Sequence, residues 1–119
     1  MGRFALRRGD IIIANFEPVK GSEQGGIRPA LIIQNNTSNE HSPTIIVAPI
    51  TSKKDYQKTY VTNVPISKKE SKLPKDSLIL CNQIRTIDKS RVTRRISGLN
   101  PYLMFQVDTA IKISLGLDN

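Results

Sequence analysis

The chain has 119 residues, with 18 Lys and Arg against 10 Asp and Glu, a formal charge of +8 and a sequence pI of about 9.9. That length is read as one domain spanning 1–119, and the charge points to a polyanionic partner, nucleic acid first, with a merely solvated basic surface as the alternative. The single cysteine, Cys81, excludes an internal disulfide, no apolar run is long enough to span a bilayer, and the basic start lacks the apolar stretch of a signal peptide, so the expected location is cytoplasmic, with no membrane partner.

Short β-rich runs follow one another, separated by turn residues. Ile11 to Phe16 is expected to be a strand, opened by Gly9-Asp10 and closed by Pro18. Ala30 to Gln34 is a second; it lacks polar alternation and is expected to be buried on both faces. Asn35 to Pro43 reads as a polar turn region, and Thr44 to Ile50 as a third strand that must bulge or free an edge at Pro49, which has no N–H. Tyr60 to Ile66 is a less regular strand, followed by a lysine-rich loop to Pro74. Ser77 to Cys81 and Val92 to Ser97 supply two more, the latter alternating Val92, Arg94, Ile96 against Thr93, Arg95, Ser97. Asn100-Pro101 then caps and opens a helix with Met104, Val107, Ile111 and Leu115 on one apolar face, ending near Gly116. The expected fold is mainly β (α+β): a small, strongly bent sheet or partly open barrel of about six short strands, with the C-terminal helix covering one side.

Several chemistries find no footing. His41 is the sole histidine, so a two-histidine ribonuclease mechanism is impossible within one chain, and its setting between Glu40 and Ser42 is that of a solvated loop residue. No HExxH motif, Cys/His cluster or Walker loop is present, and no cofactor or resident metal is expected. The carboxylates are scattered singly, though a fold could gather Asp10, Glu17 and Glu23.

What remains is phosphate chemistry. The loop Gly21-Ser22-Glu23-Gln24-Gly25-Gly26-Ile27 ends in Arg28-Pro29 at the mouth of an apolar strand. The guanidinium fork fits phosphate oxygens, Pro29 holds the Arg28 backbone extended, and the loop glycines allow close approach of a ligand. An arginine paired with Glu17 or Glu23 beside an ordinary hairpin is the alternative. Thr51 emerges from the third strand beside Ser52, Lys53 and Lys54, where a hydroxyl can donate to a phosphate or leaving oxygen, or satisfy a local turn instead. In Asn82-Gln83-Ile84-Arg85-Thr86-Ile87-Asp88-Lys89, the Asn82 and Gln83 amides suit base edges, and Arg85 and Lys89 suit backbone phosphates; strand pairing is an equal alternative.

Taken in order from about Arg8 to Leu117, these segments resemble the MazF/PemK family of toxin endoribonucleases. The resemblance rests on Arg8-Gly9-Asp10-Ile11, on Pro18-Val19-Lys20-Gly21-Ser22-Glu23-Gln24-Gly25-Gly26-Ile27-Arg28-Pro29-Ala30, and on Ala48-Pro49-Ile50-Thr51. It continues through Asp76-Ser77-Leu78-Ile79-Leu80, Gln83-Ile84-Arg85-Thr86-Ile87-Asp88-Lys89 and the terminal helix. It implies an SH3-like barrel, a homodimer, metal-independent cleavage of single-stranded RNA at short sequences, and inhibition by a cognate MazE-like antitoxin that occupies the RNA groove. It implies catalytic roles for Arg28 and Thr51 and places Glu23, Gln24, Ser77 and Gln83 along the groove. Asn82 departs from the pattern, since similar proteins often carry an acidic residue there.

The implied reaction is attack of the RNA 2′-OH on the adjacent phosphorus, leaving a 2′,3′-cyclic phosphate and a 5′-hydroxyl. Arg28 would stabilise the phosphoryl oxygens and Thr51 would orient the phosphate or protonate the leaving oxygen. Free arginine keeps its proton to above about pH 12, so a guanidinium is a poor proton acceptor, and Glu23 or a water is the candidate base. Two other readings stand beside this one: a CcdB-like toxin that binds DNA gyrase on the same fold, and a non-catalytic RNA-binding module.

Overall fold

The aliphatic runs become the middle of one antiparallel sheet. The computed structural model describes residues 5–17, 21, 25–54 and 58–117. Its elements are β1 (Asp10–Asn15), β2 (Ile27–Ile32), α1 (Asn36–His41), β3 (Thr44–Ser52), β4 (Asn63–Ile66), α2 (Lys68–Ser71), β5 (Ser77–Leu80), β6 (Arg85–Asp88), a single 3-10 turn at Lys89–Arg91, β7 (Val92–Gly98) and α3 (Pro101–Leu115). The seven strands run in the order β4-β5-β3-β2-β1-β7, with β6 also paired to β3. The expected small, mainly β fold with a C-terminal helix is therefore found, with seven strands among the described residues in place of about six.

The additional strand is β6. Only Ile87 of its four residues is buried, too little apolar pattern to announce a strand. Pro49 explains where β6 fits. On one side β3 pairs continuously with β2 through Val47, Ala48 and Pro49. On the other side it pairs with β6 over Thr44–Val47 and with β5 over Ile50–Ser52, and neither ladder includes Ala48 or Pro49. A proline cannot donate to a ladder, so the partner changes where the N–H is missing.

Both faces of the central strands are covered. Leu31, Ala48, Ile50 and Ile79 pack with Leu103, Val107 and Ala110 of α3 on one face. Ile12, Ala14, Ala30, Ile32, Ile45 and Val47 pack with Phe16 and Ile87 on the other. This is the two-sided burial expected of β2. In β7 the expected alternation is broken: its pairing with β1 shifts register twice, between Ile11 and Ile12 and between Ile13 and Ala14.

Two short helices replace expected loops. α1 has no apolar face; it is capped by Asn35, which accepts from Ser38 N at 2.8 Å, and is held by its buried Asn39. The Asn39 side-chain amide exchanges hydrogen bonds with Gln34, donating to Gln34 O at 2.9 Å and accepting from Gln34 Nε2 at 3.1 Å, and the Asn39 main-chain carbonyl accepts from Lys89 Nζ at 2.5 Å. α2 opens on a capping box of Ser67 and Glu70, a Ser-x-x-Glu signal visible in the sequence but not followed by an apolar run.

α3 begins at the expected cap, with Asn100 accepting from Leu103 N at 2.9 Å and Pro101 in its first turn, and ends at Gly116 in the left-handed conformation. Its buried stripe is rotated from the expected one. Leu103, Val107 and Ala110 are buried, Met104 and Ile111 flank them, and Leu115 is 54% exposed. The helix is tied back by Arg8, which donates to Ile33 O at 2.9 Å and pairs with Asp108 at 2.5 Å.

Two outcomes follow. Leu103→Ala should lower the unfolding free energy by about 2–5 kcal/mol, whereas Leu115→Ala should change it by less than about 0.5 kcal/mol, read from urea denaturation; equal losses would place the helix on another face. The second concerns Cys81, where burial, then the nearby Asp108 carboxylate, pushes the thiol from 9.0 up to about 12. The folded pKa lies above the unfolded one, so this contribution is complete below pH 9 and declines as pH rises toward about 12. Wild type should lose stability relative to Cys81→Ala between those limits, by on the order of 2 kcal/mol at pH 10.5, and the native thiol should resist alkylation at pH 8 until denaturant is added.

Candidate nucleic-acid site

Strand register brings the two principal sequence candidates together. β2 and β3 pair Ile32 with Val47, Leu31 with Ala48 and Ala30 with Pro49. Carried two residues further along each chain, the same register sets Arg28, at the start of β2, beside Thr51, near the end of β3. Alternation puts Arg28 on the face of Ala30 and Ile32, and Thr51 on the face of Pro49 and Val47. Both faces belong to the sheet surface packed by Phe16 and Ile87, so the two side chains share one side. Both residues are half-buried.

The geometry around Arg28 is set by the stem of the preceding loop. Its backbone is extended within β2, paired with Ala14 of β1, as the following proline requires. Arg28 Nε donates to Gly25 O at 2.6 Å, which fixes the plane of the guanidinium. Gly26, at φ +79°, donates its N–H to Glu17 Oε2 at 2.5 Å, and Phe16 N donates to Gly26 O at 2.9 Å. The carboxylate of Glu17 thus closes the loop stem. Glu23 and Gln24, expected over the groove, lie outside the described residues.

Arg85 joins the same surface. It pairs with Val47 across β3–β6 and its guanidinium carbon lies 5.3 Å from the centroid of the Phe16 ring. Among the described residues its Nη1 is buried without a hydrogen-bond partner, beside the aromatic face of Phe16. Asn82 and Gln83 lie in the turn between β5 and β6, the two strands that flank the Ala48–Pro49 step on the side of β3 away from β2; Asn82 is exposed and Gln83 half-buried. Lys53 and Lys54 continue from β3 beyond Thr51, with Lys53 half-buried and Lys54 exposed.

Ser77 is not brought to this surface. It pairs with Ser52, one step from the Thr51–Leu78 pair and so on the opposite face; it is 3% exposed and its hydroxyl donates to Lys75 O at 2.9 Å. The other histidine and carboxylate possibilities are also separated. His41 is exposed, 3.5 Å from Glu40, in the α1 connection at the far end of β2 and β3 from Arg28 and Thr51. Asp10 pairs with Arg95 at 3.1 Å at the start of β1, whereas Glu17 lies past its end, roughly 23 Å of extended chain away. Among the described residues no group of three His, Cys, Asp or Glu side chains could hold a metal ion.

Phe16 and Arg91 are functional candidates that sequence reasoning passed over. Phe16 reads as the last apolar residue of a strand, and only the fold sets it under Arg85. Arg91 carries no local signal of its role, because its partners are more than 70 residues away.

The chain matches a family model described as PemK-like, MazF-like toxin of type II toxin-antitoxin system over residues 7–115. It is 53% identical over 114 residues to a Staphylococcus epidermidis protein named Endoribonuclease MazF, covering 96% of this chain and 94% of that one. The fold aligns with the crystal structure of MazF from Deinococcus radiodurans at a TM-score of 0.81 and 25% identity, covering 96% of this chain and 99% of that one. It also aligns with an endoribonuclease in complex with its cognate antitoxin from a mycobacterial species at a TM-score of 0.79 and 23% identity, covering 97% and 99%. With the family model spanning nearly the whole chain and a close relative matching end to end, this chain belongs to the PemK-like, MazF-like toxin family of type II toxin-antitoxin systems.

Proposed function

We propose that this chain is the toxin of a type II toxin-antitoxin pair, a metal-independent endoribonuclease that cuts single-stranded mRNA at a short sequence and so arrests translation. The observation that carries the reading is the β2–β3 register ending at Ala30–Pro49, whose continuation by two residues lines Arg28 up with Thr51 on one face of the sheet, in a chain of charge +8. Family membership, and the relative that bears the name endoribonuclease, support the choice of RNA as the polyanion.

In this mechanism the substrate supplies its own nucleophile. The 2′ oxygen bonds to phosphorus as the P–O5′ bond breaks; the 2′ proton leaves to a base and the 5′ oxygen gains a proton. The products are a 2′,3′-cyclic phosphate and a 5′-hydroxyl. Arg28, oriented by Gly25 O, stabilises charge on the phosphoryl oxygens, and Thr51 donates to the phosphate or to the leaving oxygen. Asn82 and Gln83 read base edges and Arg85, Lys53 and Lys54 hold phosphates, with Glu23 and Gln24 completing the groove. RNA must be unpaired, because the deep groove of an A-form duplex does not admit side chains. The protein acts as a cytoplasmic homodimer and is silenced by a cognate antitoxin; antitoxin complexes of structural relatives support the last of these.

A defined single-stranded RNA incubated in EDTA should be cut, giving cyclic-phosphate and 5′-hydroxyl ends, and a 2′-deoxy substitution at the cut should abolish cleavage there. Arg28→Ala should lower the single-turnover rate by about 10²–10³-fold and Thr51→Ala by about 10²-fold. Undiminished cutting by both variants would remove these residues from the mechanism, and binding without any product would make the protein a non-catalytic RNA-binding module. Arg85→Ala should weaken binding of the 2′-deoxy RNA and reduce the slope of log K against log salt by about one, measured by fluorescence anisotropy; an unchanged slope would leave Arg85 with its Phe16 contact alone.

A further inference from the structure

We infer that Arg91 is a positioning residue for Arg28, acting through the stem of the β1–β2 loop rather than on RNA. This rests on the catalytic reading of Arg28 above. Arg91 is the last residue of the 3-10 turn before β7. Its Nη1 donates to Asn15 O at 3.1 Å and also to Glu17 O. The β1–β7 ladder ends at the Ala14–Val92 pair, so among the described residues no β7 partner is paired with the chain beyond Ala14. The guanidinium continues the ladder past the point where the backbone stops. One cation thereby holds two carbonyls at the point where β1 runs into the loop.

From there the hydrogen bonds lead to Arg28. Glu17, held by its carbonyl, accepts from Gly26 N with its carboxylate at 2.5 Å. That fixes the Gly25–Gly26 peptide, and Gly25 O accepts from Arg28 Nε at 2.6 Å. The anchor is itself fixed: Asp88 accepts from Ser90 N at 2.8 Å at the start of the turn, and Lys89 N donates to Pro43 O at 3.0 Å while its Nζ reaches Asn39 O. Arg91 therefore transmits the rigidity of the α1–β3 end of the molecule to the catalytic guanidinium.

The test compares wild type, Arg91→Ala, Arg91→Gln, Glu17→Ala and the Arg91→Ala/Glu17→Ala double variant, with Arg28→Ala alongside. Arg91→Ala should melt near wild type by circular dichroism, lower kcat by about 10- to 100-fold and change KM by less than about two-fold. Its affinity for 2′-deoxy RNA and the salt slope of that binding should be unchanged. Arg91→Gln, which keeps a donor without the charge, should recover part of kcat, and it carries the same comparison if the alanine variant does not fold. The double variant should be barely slower than Glu17→Ala alone, because both substitutions break one chain of hydrogen bonds. Wild-type kcat in both Arg91 variants would overturn the inference, as would a KM raised tenfold with the salt slope reduced by about one, which would make Arg91 an RNA contact. If Arg28→Ala cuts like wild type, the catalytic reading itself fails; if Arg28→Ala is inactive while the Arg91 variants are normal, only the positioning role does.

Discussion

One missing N–H in the middle of β3 governs how the rest of the molecule is arranged. Pro49 cannot donate to a ladder, so the side of β3 away from β2 cannot be occupied by one continuous partner. β6 takes the segment before it and β5 the segment after it. The chain between them, residues 81–84, turns beside the gap. β5 then carries β4 and the helix α3 to one side of the fold, while β6 leads through the 3-10 turn to β7 and so to the other edge of β1. Thr51 lies beyond the break and Arg85 before it, so the same proline separates the candidate phosphate-orienting hydroxyl from the cation stacked on Phe16.

Around that break, the central strands have no polar face. Burying both sides of β1, β2 and β3 demands cover from elsewhere: α3 on one side, Phe16, Ile87 and the turn into β7 on the other. The cover is attached by polar contacts at its margins. Arg8 ties α3 to the end of β2, and the Gln34–Asn39–Lys89 network ties α1 to the 3-10 turn. These bonds lie between elements far apart in sequence, and they satisfy backbone groups and amides that would otherwise be stranded at the rim of an apolar core.

The candidate site inherits this rigidity. Arg28 is mounted on a strand buried in the sheet, with its guanidinium plane set by a carbonyl of its own loop stem. Preorganised donors of this kind stabilise developing charge without having to reorganise during reaction. In the proposed function the chain's excess of Lys and Arg acts at longer range, drawing a polyanion toward the candidate surface of Arg28, Thr51 and Arg85. Electrostatic attraction is thus general to the surface, whereas the candidate site's geometry belongs to two strands.

By itself the sequence determined the elements whose signals are local. Apolar runs gave β1 to β3, the lack of alternation gave the two-sided burial of β2, Asn100-Pro101 and Gly116 gave the limits of α3, and Pro49 marked the break in β3. Arg28-Pro29 behind a glycine-bearing loop was legible for the same reason, since proline restricts its neighbour whatever the fold. Tertiary structure alone decided what depends on distant partners. α1 is held by a buried asparagine and β6 by its pairing with β3, neither of which leaves a periodic pattern. The face of α3 that is buried was settled by where β4 and β5 lie, and Ser77 was turned to the opposite face from Thr51 by the register of β3 with β5. The alignment of the Arg28 end of β2 with the Thr51 end of β3, the contact of Arg85 with Phe16 and the grip of Arg91 on the loop stem all join segments that only folding brings together, because a side chain's chemistry is written in the sequence but its neighbours are set by strand register.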